Sequence, residues 1–163
     1  MKVSDIKRDP VCEMDVRESD YKTIYMERQY IFCSQQCLDR FEKNPGLYVG
    51  RPGKPSPKQK GKALIKSRTI KLDTVIPDEI KVKIIQAITG MMGIKNIQIT
   101  RNLIRITYDL LEVTAEQIEN TITTTSINLS DDWVSRLKSA FVHYAEETEL
   151  INMESEHDHH CHH

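Results

Sequence analysis

The spacing Cys12-x20-Cys33-x3-Cys37 constrains this chain more than any other feature. It lies in a short N-terminal stretch closed off by residues 51–71, RPGKPSPKQKGKALIKSRTIK, which carry eight basic residues and no acidic one, with Pro and Gly concentrated in the first half. So short a stretch buries too little apolar surface to be stable without help, and a metal site would supply some of it. Tyr30, Ile31 and Phe32 lead into Cys33 as a strand would, Ser34 suits a helix N-cap, and Asn44-Pro45-Gly46 ends the helix. Cys37 then falls in the first helical turn, where the dipole and free N–H groups favour thiolate, the form that binds soft metals. The bland alternative is that the cysteines are small buried hydrophobes.

The opening MKVSDIKRDP has basic residues with no apolar stretch behind them, so no secretory or transit signal is read there. No run reaches the roughly 18 apolar residues of a membrane span, and membrane insertion is not expected. The expected setting is the cytoplasm, where clustered thiols stay reduced and serve as metal ligands or redox groups more often than as disulfides. With 39% hydrophobic residues, 29% charged residues and a formal net charge of -1, the composition is that of a soluble globular protein. The basic stretch lacks the interleaved aromatics of a strand-binding groove, which speaks against nucleic acid.

DPVCEMDV, followed by YIFCSQQCLDRFEKNPGLYV, resembles the YHS domain, and the cysteine spacing resembles the related TRASH pattern of metal-handling proteins. The resemblance implies a small β-rich knuckle with a short helix, in which Cys12, Cys33 and Cys37 are ligands for copper, zinc or a similar ion. It also implies a metal-transport or metal-responsive protein as a partner. One departure is Glu13, where the family has the glycine of CGM. Three thiolates suit trigonal Cu(I) but leave zinc one ligand short. With no histidine in the first 142 residues, the fourth ligand would be Glu13, Asp15, water or a group from far along the chain.

Beyond the basic stretch, Ile70 and Leu72 alternate with Thr69 and Lys71 as in a half-buried strand. Pro77, Asp78 and Glu79 open a helix whose apolar face is Ile80, Ile84, Ile85 and Ile88, and GMMG stops it. Two alternating runs joined at Arg101-Asn102 read as a hairpin, a helix follows from about Thr114, and residues 127–129 are a candidate last strand. The order is βαββαβ, a ferredoxin-like arrangement. With the junction GMMGIKNIQIT, it resembles the heavy-metal-associated domain. That family binds metal through Cys-x-x-Cys, but here PDEI (Pro77 to Ile80) stands in its place, so the resemblance implies a retained fold without its metal site.

A last helix is expected from the cap Ser130, with Trp133, Leu137, Ala140, Phe141 and Tyr144 on one face. The sheet surface offered to it, Lys71, Gln98, Thr100, Arg105 and Thr107, is polar. That leaves the N-terminal module or a second copy of the chain to cover the stripe, and a homodimer is the preferred expectation. The end of the chain, HDHHCHH, puts His157, His159, His160, Cys161, His162 and His163 together behind an acidic stretch, a group that binds zinc, nickel or copper in any conformation.

The expected fold class is therefore α+β: a YHS-like knuckle (5–50), a basic linker (51–67), a ferredoxin-like domain (68–130), an amphipathic helix (131–149) and a metal-binding tail (150–163). The expected function is buffering, trafficking or sensing of copper or zinc. The alternatives are an interaction or regulatory module with a structural metal and, less favoured, a thiol redox protein. No nucleophile-base-acid set, phosphate loop or dinucleotide fingerprint is present, so no enzyme is expected.

Overall fold

Two compact units divide the chain in the computed structural model: Met1–Leu64 together with Ala145–His163, and Ile65–Tyr144. The structure describes residues 6–125, 131–141 and 146–159, with the side chains of all of these except 125, 131 and 156–159. Both strands and helices are present, and the class is α+β.

The first unit begins with two small antiparallel pairs, β1 (Lys7–Arg8) with β2 (Asp15–Val16) and β3 (Lys22–Tyr25) with β4 (Arg28–Ile31). Helix α1 (Gln35–Lys43) follows, and a 3-10 turn at Pro45–Leu47 closes it. Phe41, projecting from α1, is the hub of the core. Its ring lies 5.1 Å from Phe32, 5.5 Å from Tyr30, 5.7 Å from Tyr25 and 6.0 Å from Tyr48, centroid to centroid. These are distances at which aromatic edges and faces attract. Arg40, also buried, donates to the Tyr48 hydroxyl at 2.9 Å and to the Asn44 side-chain oxygen, so its charge enters the core with partners.

The basic segment, expected as a linker over residues 51–67, is folded back on itself, although most of its residues are exposed. Ser56 Oγ accepts from Gln59 N while Gln59 Oε1 accepts from Ser56 N and Gly50 N, a reciprocal capping box that folds the chain back. Lys58 N then donates to Leu47 O at 3.0 Å, and Ser56 and Pro57 are buried. The lysine content predicted solvation of side chains, but SPKQ gives the backbone its own partners.

The single helix expected over 131–149 is also corrected. Helix α4 (Asp131–Ala140) belongs to the second unit, whereas a separate helix α5 (Glu146–His159) belongs to the first. Residues 150–159 are thus helical where a tail was expected. Glu146, Glu147 and Glu149 sit in the first turn of α5, where carboxylates oppose the positive end of the dipole, and Leu150 is fully buried.

The second unit is a three-stranded antiparallel sheet in the order β5 (Ile65–Lys71), β7 (Leu103–Asp109), β6 (Ile94–Thr100). Helix α2 (Asp78–Thr89) joins β5 to β6, and α3 (Ala115–Thr125) follows β7. Strand β5 starts before the boundary expected at 68. Ile70, Ile104, Ile106 and Tyr108 are buried, as are Ile80, Ile84 and Ile88 of α2 and Ile118 and Ile122 of α3. The last strand expected at 127–129, the cap Ser130 and Tyr144 lie outside the described residues.

Helix α4 packs against α3, with Leu137 fully buried and Phe141 nearly so. Arg136 ties it to the loop after β5, donating to Asp73 at 2.9 Å and to Asp132 at 3.0 Å. The argument for a homodimer required an uncovered stripe on this helix. Leu137 and Phe141 are already covered, so that premise fails.

Candidate metal centre

Three local structures bring Asp9, Cys12, Cys33 and Cys37 together, and one ligand atom from each lies within 4.8 Å of all the others. Asp9 and Cys12 come from the β1–β2 turn, Cys33 from the end of β4 and Cys37 from the first turn of α1. Ser34 is the N-cap of α1, and its Oγ accepts from Cys37 N at 3.5 Å. The Sγ atoms of Cys12 and Cys33 are 3.5 Å apart, and those of Cys33 and Cys37 are 3.6 Å apart. An ion bonded to three thiolates at about 2.3 Å holds them about 3.8–4.0 Å apart. The sulfurs therefore need to move only a few tenths of an ångström to accept one.

Asp9 is the residue sequence reasoning missed. It is fully buried, and its Oδ1 accepts from Val11 N at 2.8 Å and Cys12 N at 3.2 Å while its Oδ2 accepts from Cys33 N at 2.8 Å. The Asp-Pro-Val-Cys order carries the signal for the first of these bonds, since Asp commonly accepts from the N–H two residues on. Glu13 and Asp15, named as fourth-ligand candidates, lie outside the cluster. Asp15 is exposed on β2, and Glu13 is ion-paired with Arg8 at 2.7 Å and with Lys58 at 4.0 Å.

The turn beside Cys12 keeps the shape a glycine would give it. Glu13 has φ 65, its N–H donates to Asp9 O, and Asp9 N donates to Met14 O, both at 2.9 Å. A side chain in this left-handed region costs roughly 1–2 kcal/mol relative to glycine.

The three thiols differ in acidity. Cys12 is held below its usual pKa, chiefly by the hydrogen bond from Cys37. Burial pushes Cys33 up to about 11. Cys37 is raised as well, first by its bond to Cys12, then by burial and the Asp9 charge. This runs against the expectation that the helix N-terminus favours thiolate at Cys37: the bond to Cys12 and full burial outweigh the dipole. Cys12, half-buried, is the one of the three whose pKa is lowered.

Among the described residues no second group of three or more Cys, His, Asp or Glu side chains converges in this way. At the start of α2, Pro77 is the N-cap, Asp78 and Glu79 are exposed and Ile80 is buried. His160, Cys161, His162 and His163 lie outside the described residues; His157 and His159 are within α5 with undescribed side chains. Among the described residues no helix is long and apolar enough to cross a membrane.

No curated protein and no solved structure matches the chain. The family whose model matches is the YHS domain, over residues 8–51, the stretch that contains Asp9 and all three clustered cysteines.

Proposed function

We propose that the chain binds one soft metal ion through Cys12, Cys33 and Cys37 and serves to buffer, carry or sense copper or zinc, as a binding protein rather than an enzyme. The observation that carries this reading is the convergence of three thiols, drawn from a turn, a strand end and a helix start, at near ligand-to-ligand distances. Reduced thiols are required, which fits a cytoplasmic setting. The group His157, His159, His160, Cys161, His162 and His163 would collect the same ions less selectively. The second unit, ferredoxin-like in this reading and without Cys-x-x-Cys, would serve as a docking module for a metal-transport or metal-responsive protein.

The test is a titration of the full chain with Cu(I) and with zinc, in a background where the five tail histidines and Cys161 are replaced by Ser. Each of C12S, C33S and C37S should weaken binding at least about tenfold. If all three bind as the parent background does, the site does not exist. The burial of Cys37 favours a second reading, a structural metal. Chelation separates the two: loss of a structural ion unfolds the first unit, whereas a carrier site empties with the fold intact.

A further inference from the structure

Three donors converge on the two oxygens of Asp9, and two of those donors are the backbone N–H groups of Cys12 and Cys33. A carboxylate offers about four lone-pair sites, so three of them are already filled. The fourth lies on Oδ2, and an ion bound there would crowd the bond from Cys33 N, in a group with no exposure to water from which to replace it. The same bonds hold the two cysteines, 21 residues apart in sequence, at a sulfur separation of 3.5 Å.

We infer that Asp9 is a positioning residue that stays off the metal, so that the protein supplies three sulfurs and no fourth ligand. This rests on the metal-binding reading above and deepens it. A site of this kind suits Cu(I), which accepts three thiolates, and obliges zinc to complete its tetrahedron with water. Charge points the same way. Three thiolates already exceed the charge of a monovalent ion, and a fourth anionic ligand from Asp9 would add to that excess.

The experiment is X-ray absorption on the full chain with the tail ligands replaced by Ser, loaded with one equivalent of Cu(I) or of zinc. The expected Cu(I) spectrum has a shell of three sulfurs and no oxygen, and the zinc spectrum has three sulfurs and one oxygen or nitrogen. An oxygen in the Cu(I) shell that is lost in D9N overturns the inference while leaving metal binding intact. Failure to retain either ion overturns both. In D9N, at a temperature where circular dichroism shows it folded, affinity for Cu(I) and for zinc should fall by a similar factor, about tenfold or more, with three sulfurs still bound. Unchanged affinity in folded D9N would reduce Asp9 to a structural residue. A loss for zinc far exceeding that for Cu(I) would make it a ligand.

Discussion

Glu154 Oε2 accepts a hydrogen bond from Gly46 N at 2.7 Å, joining helix α5 to the 3-10 turn that closes α1 across 108 residues of sequence. The unit that holds the cysteines is therefore completed by the other end of the chain. A β-carbon at Gly46 would lie 2.9 Å from the same carboxylate oxygen, so a side chain there would make Glu154 shift.

This contact predicts that E154A destabilises the first unit by about 1.5–3 kcal/mol, the range for a hydrogen bond to a charged group. L150A should cost more, about 2–5 kcal/mol, because Leu150 is fully buried. Trp133 lies in the second unit and its fluorescence would miss the change. The rate at which Cys37 becomes open to alkylation in mild denaturant reports it directly, and a rate equal to the parent's in both variants would refute the coupling.

In the metal-free protein at neutral pH, Cys12 should be alkylated first and Cys37 last. Cys12 is held below its usual pKa and is half-buried, whereas Cys37 is raised and fully buried. Mass spectrometry of partially alkylated protein gives the order. Cys37 reacting first would reverse the order of acidity within the cluster.

Metal uptake should strengthen as pH rises. With Cys33 pushed up to about 11 and Cys37 raised, both are thiols near neutrality and lose their protons when they bind an ion. Because the metal-free state holds more protons than the bound state, raising pH favours binding. Release of about two protons per ion corresponds to a change of up to about a hundredfold in affinity per pH unit. Calorimetry in buffers of different ionisation enthalpy counts those protons. In the metal-free protein the two raised pKa values act on stability in the same sense: their contribution is full below the ordinary thiol pKa and is lost as pH rises through about 11 for Cys33.

At position 13, E13A and E13G both remove the pairs with Arg8 and Lys58, but only glycine relaxes the backbone at φ 65. E13G should be more stable than E13A by about 1 kcal/mol in denaturant titration. Equal stabilities would mean that the turn carries no conformational cost.

How much of this was legible in the sequence differs from element to element. Cys33 and Cys37 could be placed together because one ends an aromatic strand and the other lies a helical turn beyond a Ser cap. The β6–β7 hairpin and the α2 face followed from periods of two and of three to four residues. The capping box of Ser56 and Gln59 was equally present in the letters, but the lysines around it drew the reading toward a solvated linker.

By itself the sequence determined what acts within a turn or two of the chain: the strand and helix periods, the Ser34 cap, and the cysteine pattern that marks residues 8–51 as YHS-like. Tertiary structure alone decided the bond from Cys33 N to Asp9, 24 residues earlier, the return of Lys58 to Leu47, and the docking of α5 through Glu154. It also decided which thiol pKa is lowered and which are raised, because the bond to Cys12 and burial outweigh the local helix dipole at Cys37. The physical reason is common to all of these. A residue's local preferences are written in its neighbours along the chain, but a buried donor or thiol takes its partner from whatever segment the closed fold sets against it.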